Sequence, residues 1–504
     1  MLRKMISELK QNKRELTILF FYTIVILFFC SKMSPFYPIQ EWSDVNLYFN
    51  IGKAIMNGQS LYTESFDPKG PIIFFIYGLG YLISNDSFLG VFFIQILIWS
   101  TLSFSAYFCA RLFLDKTYSL IVAAFFLLIL LSHTSEGGSA EEFITAYMTV
   151  SFYLFIRYFR NPDKHALSHM YVHGVMWGLA FFTKFPLTAF WIFPLIAIGL
   201  ILILKKEYKN LLLNILSFVA GGATVACPLA LYFISKGILS EAIDTYFFLN
   251  SSFRVGTFED IIHKVAISFY QRLRFETIEF SFILLGAFIF PLIYLKNNIA
   301  RIAIALSFLS IFTIVFMAGY VYYYSIPYYL FAIGGLIIFA KLISKYITIK
   351  KHQWLVIVLA LLTATSGSIY RKSFFGKYNK NKGITVVEKF LPTIMKEEDK
   401  SLVNLGFDDA NALFTYANIM PNTKYFTAPN LPHEAYPELR NEQTQYIKEG
   451  KTMFVVLAER TINAEYFFNL KALQDNYEIV DRFKEYYAWH NTDRYYYLYK
   501  RKEQ

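Results

Sequence analysis

Glu41, Asp44, Asp67 and Lys69 stand in one polar interruption of an otherwise apolar sequence. It is EWSDVNLYFNIGKAIMNGQSLYTESFDPKGP at 41–71, and apolar segments at 16–30 and 72–83 flank it. A loop of that length beside a membrane is uncommon without a task. Acids next to a lysine at the bilayer edge suit the handling of a charged headgroup. Asp44 sits in WSDVNLYFNIGKAI, whose apolar Val45, Leu47, Tyr48, Ile51 and Ile55 fit an amphipathic helix lying in the interface. Helix capping explains an aspartate there equally well, and Glu41, one turn earlier, reads as solvated.

A second acid group is SEGGSAEEF, where Glu136, Glu141 and Glu142 surround two glycines at the start of an apolar helix. The helix dipole alone favours acids at such a place. Both acid loops are expected to face one compartment, so their carboxylates could meet, one as general base and another orienting it or raising its pKa. Lys69, flanked by Pro68 and Pro71, is held by backbone constraint, which favours phosphate binding over simple snorkelling. The long loop after 235 adds Arg254, His263, Lys264, Arg272 and Arg274. Guanidinium is the usual holder of phosphate, although anionic lipid headgroups attract the same residues. Lys184, in TKFP, carries that same ambiguity. The aromatic run VYYYSIPYY at 321–329, with Trp42, Tyr48, Tyr62 and Phe66, fits interfacial anchoring. Aromatic faces also line sugar and isoprenoid sites. His133 reads as interfacial. There is no HExxH, no Cys/His metal spacing, no phosphate loop and no GxSxG.

The elements that must position these residues follow from composition. Of 504 residues, 56% are hydrophobic and 17% charged, with 53 Phe and 38 Tyr, more apolar surface than one soluble core can bury. The chain is a polytopic α-helical membrane protein. Its net charge of +11 is read through the placement of Lys and Arg, and no nucleic-acid partner is implied. Cys30, Cys109 and Cys227 form no framework. Candidate spans of roughly 20 residues fall near 16–33, 88–113, 118–133, 143–160, 170–183, 186–204, 211–235, 279–295, 300–317, 321–340 and 354–370.

The 13-residue segment 71–83 is expected to be interfacial or re-entrant. On that reading the basic turns at 111–118, 157–165, 205–210, 295–301 and 340–352 all lie in the cytoplasm and obey the positive-inside rule. The expectation is therefore about eleven spans, with residues 1–370 as the membrane domain and interfacial helices in the loop 31–87. The N-terminus is an uncleaved cytoplasmic signal anchor. Residues 371–504 form an extracytoplasmic α/β domain, from helix-like 384–396, strand-like 401–407, extended 423–429, helix-like 438–450, strand-like 452–459 and helical 464–477, closed by 478–483 and 494–501. Asp408 and Asp409 there read as solvated loop acids. A composition heavy in Lys, Asn, Ile, Phe and Tyr suits a bacterial source.

This order of features resembles the GT-C-fold membrane glycosyltransferases that use polyprenyl-phosphate sugars, among them the protein O-mannosyltransferases and the aminoarabinose transferases. It rests on a basic anchor, then SDVNLYFNIGKAIMNGQSLYTESFDPKGP, then GGSAEEF in the next outward loop. It covers about residues 1 to 340 and is most specific in the first third. The resemblance implies that Asp44 is the catalytic acid, a general base toward an acceptor hydroxyl. Glu141 or Glu142 is then the second-loop acid. Lys69 contacts the lipid-linked phosphate, Tyr62 and Asp67 belong to the same substrate-binding phrase GQSLYTESFDPKGP, and Arg254 is a further phosphate ligand. SDVN has a single acid where the O-mannosyltransferases carry an Asp-Glu pair, which leaves metal dependence and acceptor type open. No cofactor is required, because polyprenyl phosphate leaves readily once Lys or Arg balances its charge. The expected reaction is inverting transfer from a polyprenyl-phosphate sugar to a polysaccharide, glycolipid or protein hydroxyl at the extracytoplasmic face of a bacterial cytoplasmic membrane. The rival is a carrier or flippase of a lipid-linked saccharide. It calls for ionisable residues at midplane depth, and the spans hold almost none. A ligase for a preassembled oligosaccharide would need a larger cationic groove.

Overall fold

The structure, a computed structural model, describes residues 8–134, 136–250, 256–317, 321–346, 362, 365–366, 385–406, 409–429, 431–487 and 492–503. Its main helices are α1 (Lys13–Cys30), α2 (Ser43–Met56), α3 (Pro71–Ile83), α4 (Leu89–Arg111), α5 (Lys116–His133), α6 (Ala140–Arg160), α7 (Leu167–Lys184), α8 (Ala189–Leu204), α9 (Tyr208–Ser235), α10 (Phe258–Phe275), α11 (Thr277–Tyr294), α12 (Asn298–Met317) and α13 (Ala332–Tyr346). Among the described residues seven stretches are long and apolar enough to cross a membrane: Leu89–Arg111, Lys116–His133, Leu167–Leu204, Tyr208–Ser235, Thr277–Tyr294, Asn298–Met317 and Tyr322–Tyr346. The chain is a multi-pass membrane protein. Helices α1 and α6 also match expected spans, but α1 opens on Lys13, Arg14 and Glu15, and α6 carries Glu141, Glu142, Arg157 and Arg160. The expected span at 354–370 lies almost wholly outside the described residues. Leucines such as Leu212, Leu216 and Leu231 on α9 are exposed, a liability in water and what a lipid-facing helix needs.

The chain divides into two compact units. Unit 1 comprises Met1–Phe36, Ile94–Leu231 and Arg254–Lys377. Its helices begin where their sequences provide caps: Asp115 accepts the Tyr118 amide at α5, and Ser139 with Glu142 forms a capping box at α6. The apolar run Leu167–Leu204 is broken at Lys184, whose φ of −156° and ψ of 88° leave the helix, and a 3₁₀ turn holding Pro186 follows.

Unit 2 comprises Tyr37–Phe93, Tyr232–Phe253 and Tyr378–Gln504, so the first polar loop belongs to the same compact body as the C-terminal tail. Helix α3 has 13 residues, about 20 Å at 1.5 Å per residue, short of the roughly 30 Å of bilayer hydrocarbon. It packs on α2 at a glycine contact: a Cβ on Gly52 would stand 2.5 Å from the Gly78 nitrogen and 2.8 Å from the Phe74 carbonyl oxygen. The tail folds as a four-stranded mixed sheet of β1 (Leu402–Asn404), β2 (Phe454–Ala458), β3 (Tyr477–Tyr487) and β4 (Thr492–Arg501) in the order β1-β2-β4-β3. β1 pairs parallel to β2 with Leu402 opposite Phe454, and the other pairs are antiparallel. The helices Val386–Ile394 and Pro437–Lys448 fall where expected. The stretch 423–429 forms no strand, although the Phe426 carbonyl accepts the Asn404 amide. Phe66, from the first loop, is part of the tail's own core with Tyr425, Leu439, Val455 and Leu457.

Candidate active site

In unit 2, Asp44, Asp67 and Lys69 come together. Asp44 is the second residue of α2, and the preceding Trp42 makes no side-chain cap bond, so Asp44 is not the cap that its residue type suggests. Its carboxylate lies 3.4 Å from Lys69 Nζ, and Asp67 Oδ1 lies 3.6 Å from the same ammonium. The three groups differ in exposure. Asp44 is 21% and Lys69 35% exposed, while Asp67 is 3% exposed. Asp67 Oδ1 also accepts the Lys69 amide at 3.0 Å, which closes the DPK turn. Burial raises the Asp67 carboxyl above its ordinary value, opposed by the nearby Lys69 charge. The Lys69 ammonium lies 5.3 Å from the centre of the Tyr48 ring. Tyr62 adopts φ 73°, its ring stacks on Phe233, and its hydroxyl donates to the Lys69 carbonyl oxygen at 2.9 Å. It is buried and shapes the turn, with its ring face already covered.

In unit 1 the second acid group separates into two roles. Both Glu142 oxygens are occupied: Oε1 accepts the Ser139 amide, and Oε2 accepts Gln95 Nε2 at 3.0 Å and Trp99 Nε1 at 2.9 Å. That is a structural carboxylate. Glu141 is also buried, yet only Oε1 is engaged, by Lys184 Nζ at 2.7 Å. Among the described residues its Oε2 has no hydrogen-bond partner. The Lys184 ammonium lies 3.6 Å from the centre of the Tyr324 ring. Glu136 pairs with Lys32 at 2.7 Å.

A third polar group in unit 1 joins Arg272 and Tyr329 to Glu276, with His133 stacked on Tyr329 at 4.0 Å and its Nδ1 4.0 Å from Glu276. His133, the last residue of α5, is therefore buried in a charged cluster at the end of that helix. Burial raises the Glu276 carboxyl, against the stabilising bonds from Tyr329 and Arg272. Arg254 lies outside the described residues, as does Asp408 and the side chain of Asp409. Sequence reasoning passed over Glu276, Gln95 and Trp99 because each lies within or beside an apolar run and carries no local motif. Among the described residues no three His, Cys, Asp or Glu side chains converge as a metal site.

Residues 68–249 match the family model described as dolichyl-phosphate-mannose-protein mannosyltransferase. That segment contains Lys69, Glu141, Glu142 and Lys184 and begins after Asp44. The crystal structure of ArnT from Cupriavidus metallidurans in the apo state superposes with a TM-score of 0.58 at 11% identity, over 96% of this chain and 97% of that one. ArnT bound to undecaprenyl phosphate gives 0.54 at 11%, over 97% and 98%. The oligosaccharyltransferase of Archaeoglobus fulgidus tethered to an acceptor peptide gives 0.54 at 14%, over 98% of this chain and 74% of that one. The chain has the GT-C fold. The likeness spans the membrane helices and the tail alike, further than the sequence resemblance, which covers about residues 1 to 340. Among curated proteins no sequence matches the chain.

Proposed function

We propose that this GT-C-type glycosyltransferase moves a sugar from a polyprenyl-phosphate carrier to an acceptor hydroxyl, with inversion, at the extracytoplasmic face of a bacterial cytoplasmic membrane. The observation that carries it is the single ammonium of Lys69 held between Asp44 and Asp67. The acceptor oxygen attacks the anomeric carbon opposite the phosphate, so that one C–O bond forms as the other breaks. The hydroxyl proton passes to Asp44. The electron pair leaves on the phosphate oxygen, whose charge Lys69 balances. Asp67 fixes the turn that presents that ammonium. Glu141, with one oxygen open, is proposed as the second acid, and Arg254 as a further phosphate ligand. The ArnT and Archaeoglobus structures hold undecaprenyl phosphate and dolichol-phosphate, lipid monophosphates of the class proposed here. The acceptor is a polysaccharide, glycolipid or protein.

The test is release of polyprenyl monophosphate from polyprenyl-phosphate hexose by the purified protein. Asp44→Asn is expected to slow release by at least about 100-fold, and release is expected to persist in a chelator because Lys69 supplies the compensating charge. Unchanged release in Asp44→Asn overturns the assignment. Movement of the lipid-linked saccharide across vesicles with no lipid phosphate released would identify a flippase.

A further inference from the structure

The side chains that tie the first loop to the tail point to a role for the tail in the chemistry, and this rests on the reading of Asp44 and Lys69 given above. Along α2, Ser43, Asn46, Asn50 and Lys53 recur at helical spacing on one face. A stripe of that spacing on an interfacial helix is ordinarily apolar; here it is polar, and Asn46, Asn50 and Lys53 are buried. Every member meets the tail segment 411–419. Asn411 Nδ2 donates to Ser43 Oγ at 2.8 Å, and Thr415 Oγ1 donates to Asn46 Oδ1 at 2.8 Å. Asn50 Nδ2 donates to Thr415 Oγ1 at 3.0 Å, and Lys53 Nζ donates to the Ile419 carbonyl at 2.7 Å. Just ahead of α2, the Gln40 amide donates to the Tyr416 hydroxyl. A second anchor lies at Phe66, immediately before Asp67. Its ring stacks on Tyr436 at 5.4 Å, packs edge-on to Tyr425, and its amide donates to the Lys424 carbonyl.

We infer that the tail is a positioning clamp for the transfer site: the seam from 411–419 sets α2, and with it Asp44, while the Tyr425–Tyr436 slot seats Phe66 and sets the turn bearing Asp67 and Lys69. Among the described residues Asn50 Oδ1 is left without a hydrogen-bond partner, but each side chain of the stripe keeps a bond across the seam, and breaking one would strand a further buried polar group. Displacement of a catalytic group by about 1 Å is enough to lose roughly 100-fold in rate.

The experiment uses the full-length protein altered only in the tail, so that the first loop keeps its native sequence. Thr415→Val keeps the shape and removes the hydroxyl shared by Asn46 and Asn50, and Thr415→Ser restores it. With polyprenyl-phosphate hexose as donor, Thr415→Val is expected to lower kcat per folded enzyme about tenfold or more while KM for the lipid stays within about twofold. Thr415→Ser is expected to recover kcat, which a general loss of folding would not do. Tyr436→Leu, loosening the Phe66 slot, is expected to give the same split, and it decides the matter if Thr415→Val yields too little folded protein. Unchanged kcat in both variants, with hydrogen exchange showing 43–56 or 66–69 released, overturns the clamp. Asp44→Asn run alongside separates the two readings: loss of transfer there with normal kcat in the tail variants rejects the clamp alone, and retained transfer there rejects the catalytic reading beneath it.

Discussion

Glu141 and Lys184 tie the stability of unit 1 to a carboxylate proposed as the second acid. The carboxylate is 3% exposed and the ammonium 34%, so Lys184 stays in contact with water or headgroups while Glu141 depends on it. Removing the lysine strands a buried charge, and Lys184→Met is expected to destabilise unit 1 by about 3 kcal/mol, the low end for a buried pair because one partner is a third exposed. Adding Glu141→Gln should restore most of the loss, as a thermal melt of the double variant would show. Lys53 behaves in the opposite sense. Burial lowers its pKa from 10.5 to about 8, so between those values the unfolded state binds more protons than the native one. Stability is then greatest above pH 10.5 and is lost as pH falls through about 8. The melting temperature of the protein should rise from pH 8 to pH 10, by an amount corresponding to at most roughly 3 kcal/mol, and Lys53→Met should flatten that rise. The Asp44–Lys69 pairing was legible because both lie in one compact phrase of sequence. Lys53 was not, because its partners Phe414 and Ile419 lie more than three hundred residues away, and a lysine near the end of an interfacial helix ordinarily reads as a surface anchor.

At the scale of elements, α2 and α3 are a pair whose approach is set by backbone. A methyl on Gly52 would meet main-chain atoms of Gly78 and Phe74 at 2.5 and 2.8 Å, which no side-chain rotation can relieve. Gly52→Ala is expected to cost about 1–3 kcal/mol and, because α2 carries Asp44, to lower transfer more than a surface Gly→Ala change elsewhere would. Melting and turnover measured on the same preparation would show both effects. The helices were readable because their hydropathy is written locally: every expected span up to 321–340 has a helix at its place. Strand order β1-β2-β4-β3 was not, since it depends on pairings between distant segments that no local pattern encodes. The union of the first loop with the tail was equally hidden, because Phe66 among other interfacial aromatics carries no sign that its partners are Tyr425 and Tyr436.

For the whole molecule, contacts within unit 1 constrain how often the chain crosses the bilayer. Lys116 lies 3.6 Å from Glu15, so the start of α1 and the turn after α4 share one side. With α1 and α4 both crossing, as expected from the sequence, two crossings lie between these points. A third, through α3, would place Lys116 and Glu15 on opposite faces. In the same way Lys164 meets Glu207 at 3.5 Å and Lys205 meets Asp163 at 3.6 Å, so the run Leu167–Leu204 must leave and return, reversing at the break beside Lys184. Phe66 in the tail core adds a parity condition of its own, since residue 66 and the tail must lie on one side. With α4 to α9 and α11 to α13 taken as crossings the number after it is odd, so parity asks for one more, expected from the sequence at 354–370. The expected outcome is specific. With Cys227, the exposed native thiol, replaced by alanine, Glu64→Cys and Lys471→Cys should react with a membrane-impermeant maleimide in intact cells. Lys164→Cys and Lys116→Cys should react only after permeabilisation, as the positive-inside rule requires. If Glu64→Cys and Lys116→Cys label from the same side, α3 crosses after all, and the turn that holds Lys69 would then open a transmembrane helix rather than sit at the surface where the proposed donor phosphate would bind.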